Sequence, residues 1–408
     1  MSFRNTFKYY LAILTLSVLL LSPAYLYSQS IKKFTRNIED YLSELSTILL
    51  NTNNKTYYEK GQVVIDNFSA YLLSGYFDKQ TRAKIYEISD IMLAKRMRAY
   101  PHFYEYINCL TFLGEKRLSK ESLNAWFIHL KNLSEDTRSK KLASFISYTL
   151  TFLQEKAFFK KGNRSWHYQK GKFDFIYDTA FIIRFKKLDL ICTTGKDSTE
   201  IQNTSGILNP ERMFWMGEGG RIFWKRVGLD EKEVYADLRD YKININLVRF
   251  SADTVEFYNK KYFPKPMLGS LEEVVLSSSA SGKSSYPRFN SFFKNYFIEN
   301  LFENIDVEGG FSMEGAKLIC NAYKDQYARI QVKIDENNLA RFDSKTFMIF
   351  NNKMQSDHTI FTLYHKSDSI YHPCLKMKYD LVNKKLEFFQ VNPGNVIIPF
   401  YDSYHTVD

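Results

Sequence analysis

The stretch "KAFFKKGNRSWHYQKGKFDFIY", residues 156–177, separates two patterns of apolar residues. Before it, apolar residues recur every three or four positions, which is typical of amphipathic helices. From about Trp166 onward they form short runs rich in β-branched and aromatic residues, which are typical of strands. The sequence therefore predicts an α+β fold, with an α-helical domain at residues 31–162 and a β-rich domain at residues 163–408.

The apolar spacing predicts six helices in the first domain. The first is marked by Ile31, Phe34, Ile38, Tyr41, Leu45 and Ile48, which share one helical face. Gly75 is expected to cap the second helix, and Tyr100-Pro101 to break the third. Ser119 and Ser134 are expected to precede the fifth and sixth. Short connections favour an all-α bundle or a short α-solenoid that packs or docks a partner without chemistry of its own.

The second domain is predicted to be all-β, with a β-solenoid favoured and a β-sandwich as the alternative. Apolar runs such as "FDFIY" (173), "FIIRF" (181), "LDLIC" (188) and "VYADL" (234) alternate with turn signals such as "TTGKDS". A Ser-rich loop at 276–287 interrupts the pattern, and "RFNSFFKNYFIENLF" (288–302) is expected to form one short helix after it. "LKMKYDLVNKKLEFFQV" (375–391) is typical of a hairpin.

The amino terminus determines the expected compartment. Residues 1–30 combine basic Arg4 and Lys8, an apolar run from Leu11 to Leu21, and small or polar residues ending at Ser30, which is the order of a secretory signal peptide. The apolar run is short for a membrane span, although an uncleaved anchor reaching Tyr27 stays open. We expect export to the periplasm, the outer membrane or the cell surface, with any membrane contact peripheral unless the signal is retained.

The charge predicts anionic partners. The chain has a formal net charge of +11, which for an exported protein indicates lipid headgroups, lipopolysaccharide or acidic polysaccharide rather than nucleic acid. Lys160, Lys161, Arg164 and Trp166 place cations beside an aromatic ring and are the candidate polyanion- or glycan-binding residues. The alternative is that the aromatic residues join the two domains while the lysines are solvated.

A second candidate site lies in "HKSDSIYHPC", residues 365–374. His365, Asp368 and His372 are the residue types that bind borderline metals such as zinc, and a turn could bring them together as a clip between two strands. The alternative is structural, with Asp368 accepting backbone N–H groups in the turn and the histidines at strand ends. The spacing leaves both interpretations open.

Other chemistry-bearing motifs are weak. Gly282-Lys283-Ser284 resembles part of a phosphate loop, but Ser277 stands where the first glycine is needed, so no nucleotide or other cofactor is predicted. The four cysteines form no CxxC pair and are expected to be buried thiols, although one bridge in the later segment stays open. No catalytic signature appears, and no catalytic residue is assigned.

Several stretches of the second half, among them "GEGGRIFWKRVGLDEKEVYADLRDYKIN", "GGFSMEGAKL" and "DSIYHP", resemble long exported proteins of Gram-negative bacteria without an assigned function. The resemblance covers roughly residues 165–408 and implies an envelope protein with an extended β architecture. Because such proteins continue beyond the point that matches Asp408, a truncated reading frame or fragment is expected. We predict an exported envelope or surface protein of structural or partner-binding type. The alternative is a carbohydrate-active enzyme or an acidic-glycan-binding protein.

Overall fold

The computed structural model describes residues 31–275, 285–391, 398–402 and 406–407. The predicted signal peptide at 1–30 lies outside the described residues. The same holds for residues 276–284 of the Ser-rich loop, including the Gly282-Lys283-Ser284 motif. The chain divides into two compact units, the first ending at Tyr104 and the second beginning at Glu105. Each unit has its own core.

The first unit contains three helices, α1 (Ile38–Leu50), α2 (Lys55–Leu73) and α3 (Lys79–Ala94), followed by a π-helical turn at Ala99–Phe103. Its core contains Tyr41, Leu45, Phe68, Ile85 and Phe103, all of them fully or almost fully buried. The hydroxyl groups of Tyr41 and Ser89 are 2.9 Å apart inside this core, so the one polar atom of the Tyr41 ring has a partner.

The first helix begins later than the apolar spacing predicts. Asn37 has an extended backbone, and its side chain accepts hydrogen bonds from the N–H groups of Glu39 and Asp40, so it caps a helix that starts at Ile38. Phe34 is buried without being helical. The prediction that Ile31 and Phe34 belong to this helix is wrong. Apolar spacing indicates which residues are buried, but a buried residue can also lie in the segment that leads into a helix.

Three helices precede the strands of the second unit, namely α4 (Tyr104–Lys116), whose first residue is the last of the first unit, α5 (Lys120–Ser134) and α6 (Lys140–Glu155). Ser119 caps α5 as predicted, since its side chain accepts from Ser122 N. The predicted start of α6 after Ser134 is wrong, because the Asp136 side chain accepts from the N–H of Arg138 and forms a turn there. The change from helix to strand lies at Lys156, whose φ of 53° ends α6.

The rest of the second unit is one antiparallel sheet of 22 strands among the described residues. The strands are β1 (Ala157–Lys161), β2 (Arg164–Tyr177), β3 (Phe181–Thr194), β4 (Asp197–Asn209), β5 (Phe214–Glu218), β6 (Arg221–Phe223), β7 (Val234–Leu238), β8 (Asp240–Asn244), β9 (Arg249–Asn259), β10 (Met267–Val274), β11 (Arg288–Ser291), β12 (Tyr296–Phe302), β13 (Ile305–Glu314), β14 (Lys317–Asn321), β15 (Ala328–Lys333), β16 (Asn338–Ser344), β17 (Thr346–Ile349), β18 (Lys353–His365), β19 (Asp368–Asp380), β20 (Lys385–Phe389), β21 (Phe400–Tyr401) and β22 (Thr406–Val407). An α+β fold with helices first and a β-rich part second is thus confirmed.

Each strand pairs with strands at most three positions away in chain order, and long strands often pair with two shorter ones. Strands β5 and β6 both pair with β4, and β11 and β12 both pair with β13. The short helix expected at residues 288–302 is therefore wrong. In this segment the chain is extended, and its backbone groups pair with those of β13. Its side chains alternate between buried and exposed, as in Phe289 and Asn290, which is the periodicity of a strand.

The sheet folds over itself, so that strands without direct hydrogen bonds pack against each other. Trp166 on β2 donates from Nε1 to the carbonyl of Leu247, which follows β8, at 2.7 Å. The rings of Phe158 on β1 and Trp215 on β5 lie 5.3 Å apart. Helices α5 and α6 cover part of the same core, where Phe152 contacts Phe173 at a ring distance of 4.8 Å. An aromatic core thus joins helices and strands of this unit.

Candidate functional site

The predicted metal residues lie on the hairpin formed by β18 and β19. His365 and Asp368 are directly opposite each other and flank a two-residue turn in which Lys366 has a φ of 52°. The Nδ1 atom of His365 lies 2.6 Å from Oδ1 of Asn338, at the start of the neighbouring strand β16. This contact holds the ring of His365 against β16 rather than over the turn.

His372 lies further along the same hairpin. It is opposite Phe361, four residues beyond Asp368 on an extended strand, which corresponds to about 13 Å along the chain. Its Nδ1 accepts from the N–H of Cys374 at 3.0 Å, and partial burial lowers the pKa of the ring. Across the described ranges, no group of three or more His, Cys, Asp or Glu side chains is positioned to hold a metal ion. The three residues share a hairpin but are not brought to one point.

The predicted polyanion-binding residues surround the β1–β2 turn. Lys161 and Arg164 are directly opposite each other, and Lys160 forms an ion pair with Glu155 at the end of α6. Trp166 is 1% exposed, and its only polar atom bonds to Leu247 O. The assignment of Trp166 to a binding surface is corrected, because its ring has no free face for a ligand. The exposed cations remain as a candidate anion site.

The buried carboxylates of the β-sheet were not singled out by the sequence. Four of them are almost inaccessible, and each has a basic partner: Asp189 with Lys170, Glu273 with Arg226, Asp306 with Lys333, and Asp343 with both Arg329 and Arg341. Burying a carboxylate costs several kcal/mol unless a charge and hydrogen bonds compensate it. Lys170, Lys333 and Arg329 reach their carboxylates from a neighbouring strand, and Arg226 reaches Glu273 from the 3-10 turn Lys225–Val227. Each buried carboxylate thus satisfies that requirement.

Glu273 is the most enclosed of the four. Its carboxylate accepts from Trp224 Nε1 at 2.8 Å and from the N–H of Val274 at 3.0 Å, and it forms an ion pair with Arg226. Arg226 also approaches Asp197 Oδ2 at 3.4 Å. Burial raises the pKa of Glu273 to about 7, and the positive charge of Arg226 opposes that rise.

Asp189 and Asp306 are held in the charged form. Burial acts to raise the pKa of both, but hydrogen bonds outweigh it: Asn203 N and Lys170 donate to Asp189, while Lys333 and Asn300 N donate to Asp306. The net result is a pKa below the usual value for each. A general acid needs a raised pKa near the working pH, so these two carboxyl groups are suited to ion pairs between strands rather than to acid catalysis.

A cavity of about 520 Å³ opens between the β12–β13 turn and the β19–β20 turn. Its depth is apolar, with Ile305, Ala340 and Phe342 almost fully buried. Its rim carries Glu303 and Lys384, whose side chains form an ion pair of 2.9 Å. An apolar pocket with few polar groups at one end is the usual form of a small-molecule site.

A second cavity of about 480 Å³ lies beside irregular pairing of β18 with β19. Its lining includes Ser344, Ser356, His358 and the exposed thiol of Cys374, which the sequence did not connect. The hydroxyl of Ser344 lies 2.6 Å from the backbone carbonyl of His358 and 2.8 Å from the hydroxyl of Ser356. Both hydroxyl groups thus bond to each other and to this carbonyl rather than to the His358 ring, and they form no nucleophile–base pair with it.

The segment from β10 to β12 exposes large apolar side chains. Phe292 and Phe293 follow β11, Phe297 lies on β12, and Leu268 lies on β10, where its carbonyl accepts from Phe292 N at 2.9 Å. Phe293 and Phe297 are each 60% exposed. We call Phe292, Phe293 and Phe297 the exposed phenylalanine cluster. The three residues lie within six positions of sequence, and exposed apolar residues grouped together mark interaction sites more often than scattered single ones do.

Comparisons with known proteins do not assign a family. No protein-family model matches the sequence, and neither the curated proteins nor the solved structures include a significant match. Within the described residues, no helix is long and apolar enough to span a membrane. The function is therefore argued from the geometry of the site.

Proposed function

We propose that the protein is a non-enzymatic exported envelope or surface protein that binds a macromolecular partner through its β-sheet unit. The observation that supports this best is the pairing of the four buried carboxylates, each engaged by a cation from another strand or, for Glu273, from the turn that contains Arg226. Groups engaged in this way stabilise a scaffold. A glycosidase of the alternative kind needs two free carboxyl groups separated by about 5–10 Å across a groove.

The proposed contact surface is the exposed phenylalanine cluster. Four tryptophans would be the preferred residues for stacking on sugar rings, but all four are buried. Exposed phenylalanines without polar atoms favour an apolar protein surface as the partner instead. An extended architecture would suit such a scaffold. The solenoid arrangement is supported by strand pairing between near neighbours in the chain, and the sandwich by the contact of Trp166 with Leu247.

The contact surface can be tested by photo-crosslinking in the native cell. A photoreactive phenylalanine analogue at Phe293 of the full-length chain is expected to give a discrete crosslinked species in the envelope fraction. Replacing Phe292 and Phe297 by Ser in that chain should remove it. Phe389→Ser is the matched control, because Phe389 is also about half exposed but lies on β20. Equal crosslinking in both variants would contradict the proposal.

A second candidate function, binding of acidic glycans, is favoured by the β1–β2 turn. Lys161 and Arg164 lie directly opposite each other, and like charges at such positions destabilise a strand pair unless an anion lies between them. Heparin-column retention should fall when Lys161 and Arg164 are replaced by Gln. The control variant Lys260→Gln/Lys261→Gln removes two charges elsewhere. Equal losses in both variants would indicate only a general charge effect.

A further inference from the structure

The cavity of about 520 Å³ is amphipathic along its length. Phe302, Ile305, Val332, Ala340, Phe342 and Leu386 contribute the apolar lining. The charged lining groups all lie at one end, since Glu303 precedes β13, Lys333 ends β15 and Lys384 precedes β20. The volume falls within the range of about 300–1,000 Å³ that is typical of small-molecule pockets.

The two lysines at the rim differ in how firmly they are held. Lys333 lies 2.8 Å from Asp306, which is buried and also accepts from Asn300 N. Lys384 pairs with Glu303 at 2.9 Å, but both side chains are largely exposed, at 66% and 74%. An exposed pair of this kind contributes at most about 1 kcal/mol. Lys384 can therefore exchange Glu303 for another carboxylate at little cost.

The same exposed pair bridges two strands at the cavity mouth. Among the described residues, β12 forms backbone pairs only with β13, and β20 only with β19. The Glu303–Lys384 contact joins the end of β12 to the start of β20 without a backbone ladder between them. Opening this contact widens the mouth without breaking a strand pair.

The chemistry of the lining restricts the occupant. A peptide or a sugar would bring hydrogen-bonding groups into the apolar depth, where unsatisfied polar groups cost several kcal/mol. A single acyl chain brings none. At the rim, the carboxylate of a ligand complements the ammonium groups of Lys333 and Lys384. Lys384 is paired only with the exposed Glu303, which the ligand can replace. Both ends of the cavity are thus matched by a long-chain carboxylate.

We propose that this cavity binds a single-chain fatty acid, with the acyl chain between β13, β16 and β20 and the carboxylate at Lys384. Glu303 occupies the carboxylate position when the cavity holds no ligand. The proposal is independent of the exposed phenylalanine cluster and of the proposed function above.

The test is calorimetric titration of the full-length protein with palmitate below its aggregation concentration. Saturable binding of one palmitate per chain is expected. Lys384→Gln should weaken it about tenfold because a charge-assisted hydrogen bond is lost. Glu303→Gln should tighten it several-fold because the competing carboxylate is removed. Lys160→Gln, which removes a lysine from an exposed pair elsewhere, should leave binding unchanged.

Two further variants test the acyl position. Ala340→Phe fills the apolar depth and should abolish binding. Ile334→Glu places a negative charge at the mouth, where Ile334 is more than half exposed, so it should weaken binding without affecting folding. No saturable binding to the wild-type protein would overturn the proposal. So would palmitate affinity that is unchanged in both Lys384→Gln and Ile334→Glu.

Discussion

Two ion pairs in the second unit show how burial changes the role of a charge. Arg226 and Glu273 are enclosed, with Glu273 fully buried and hydrogen-bonded by Trp224 as well. Lys384 and Glu303 make a similar contact at the surface, where water competes for both groups. Removing one partner of the first leaves an uncompensated charge inside the protein. Removing one partner of the second leaves a solvated side chain, so this pair is free to take part in binding.

The largest expected effect is at the enclosed pair. Arg226→Met should lower the free energy of unfolding by about 3–5 kcal/mol, because Glu273 loses its charge partner inside the sheet. Urea unfolding at pH 8 measures it. Arg239→Met is the matched control, since Arg239 forms an exposed pair with Glu256, and it should cost no more than about 1 kcal/mol. Equal costs would break the distinction between the two kinds of pair.

An uncharged buried contact sharpens the comparison, because it separates burial from charge. The hydroxyl of Ser122 on α5 accepts from the N–H of Phe175 on β2 at 2.7 Å, and Ser122 is buried. Ser122→Ala should cost about 1–3 kcal/mol, since a buried N–H is left without a partner. Thermal or urea unfolding provides the measurement. A cost as large as that of Arg226→Met would show that charge adds nothing beyond burial.

His129 tests what happens to a buried ionisable group without a strong partner. Its ring is packed between Phe145 and Phe181, and its Nε2 lies 3.5 Å from Glu211 without a hydrogen bond. Burial lowers its pKa to about 4. Because the unfolded chain binds the proton first, at a pKa of about 6.5, stability should be complete above pH 6.5 and fall as the pH drops through 6.5 toward 4.

The loss assigned to His129 should be about 1–3 kcal/mol over that pH range. It can be measured by comparing urea unfolding of the wild-type protein and of His129→Leu at several pH values. The variant should lack this part of the pH dependence. The same slope in both proteins would mean that His129 has the same pKa in the folded and the unfolded chain, which would contradict the effect of burial.

The smallest expected effect is at the exposed pair. Glu303→Gln should change the free energy of unfolding by no more than about 0.5 kcal/mol, because both partners are solvated. Differential scanning calorimetry in the absence of fatty acid measures this. A decrease of 2 kcal/mol or more in the free energy of unfolding would mean that this ion pair stabilises the fold and is not readily exchanged for a ligand.

The sequence predicts the local features of this fold better than its contacts. Ser119 caps α5 as expected, and Gly75, with a φ of 78°, follows the end of α2. These signals depend on neighbouring residues only. The segment 288–302 was mispredicted as a helix because its aromatic spacing fits both periods, and the pairing of Phe289 with Met313 on β13 decides between them.

The candidate sites depend even more on distant contacts. Trp166 is buried, and its Nε1 donates to the carbonyl of Leu247, 81 residues away. No local sequence pattern indicates this contact. His365 and Asp368 are opposite each other as a hairpin requires, but the extended strand carries His372 away from them. The cavity rim joins Glu303 to Lys384 across 81 positions of sequence. Strand alternation predicts the apolar faces of these segments but not which segments meet.

The central claim is that enclosed charges hold this sheet together while the exposed pair is available for binding. A pair of double-mutant cycles tests it most directly, one with Arg226→Met and Glu273→Leu and the other with Lys384→Gln and Glu303→Gln, both followed by urea unfolding. We predict a coupling energy of about 2 kcal/mol or more for the enclosed pair and below about 0.5 kcal/mol for the exposed pair. Equal coupling energies in the two cycles would contradict the claim.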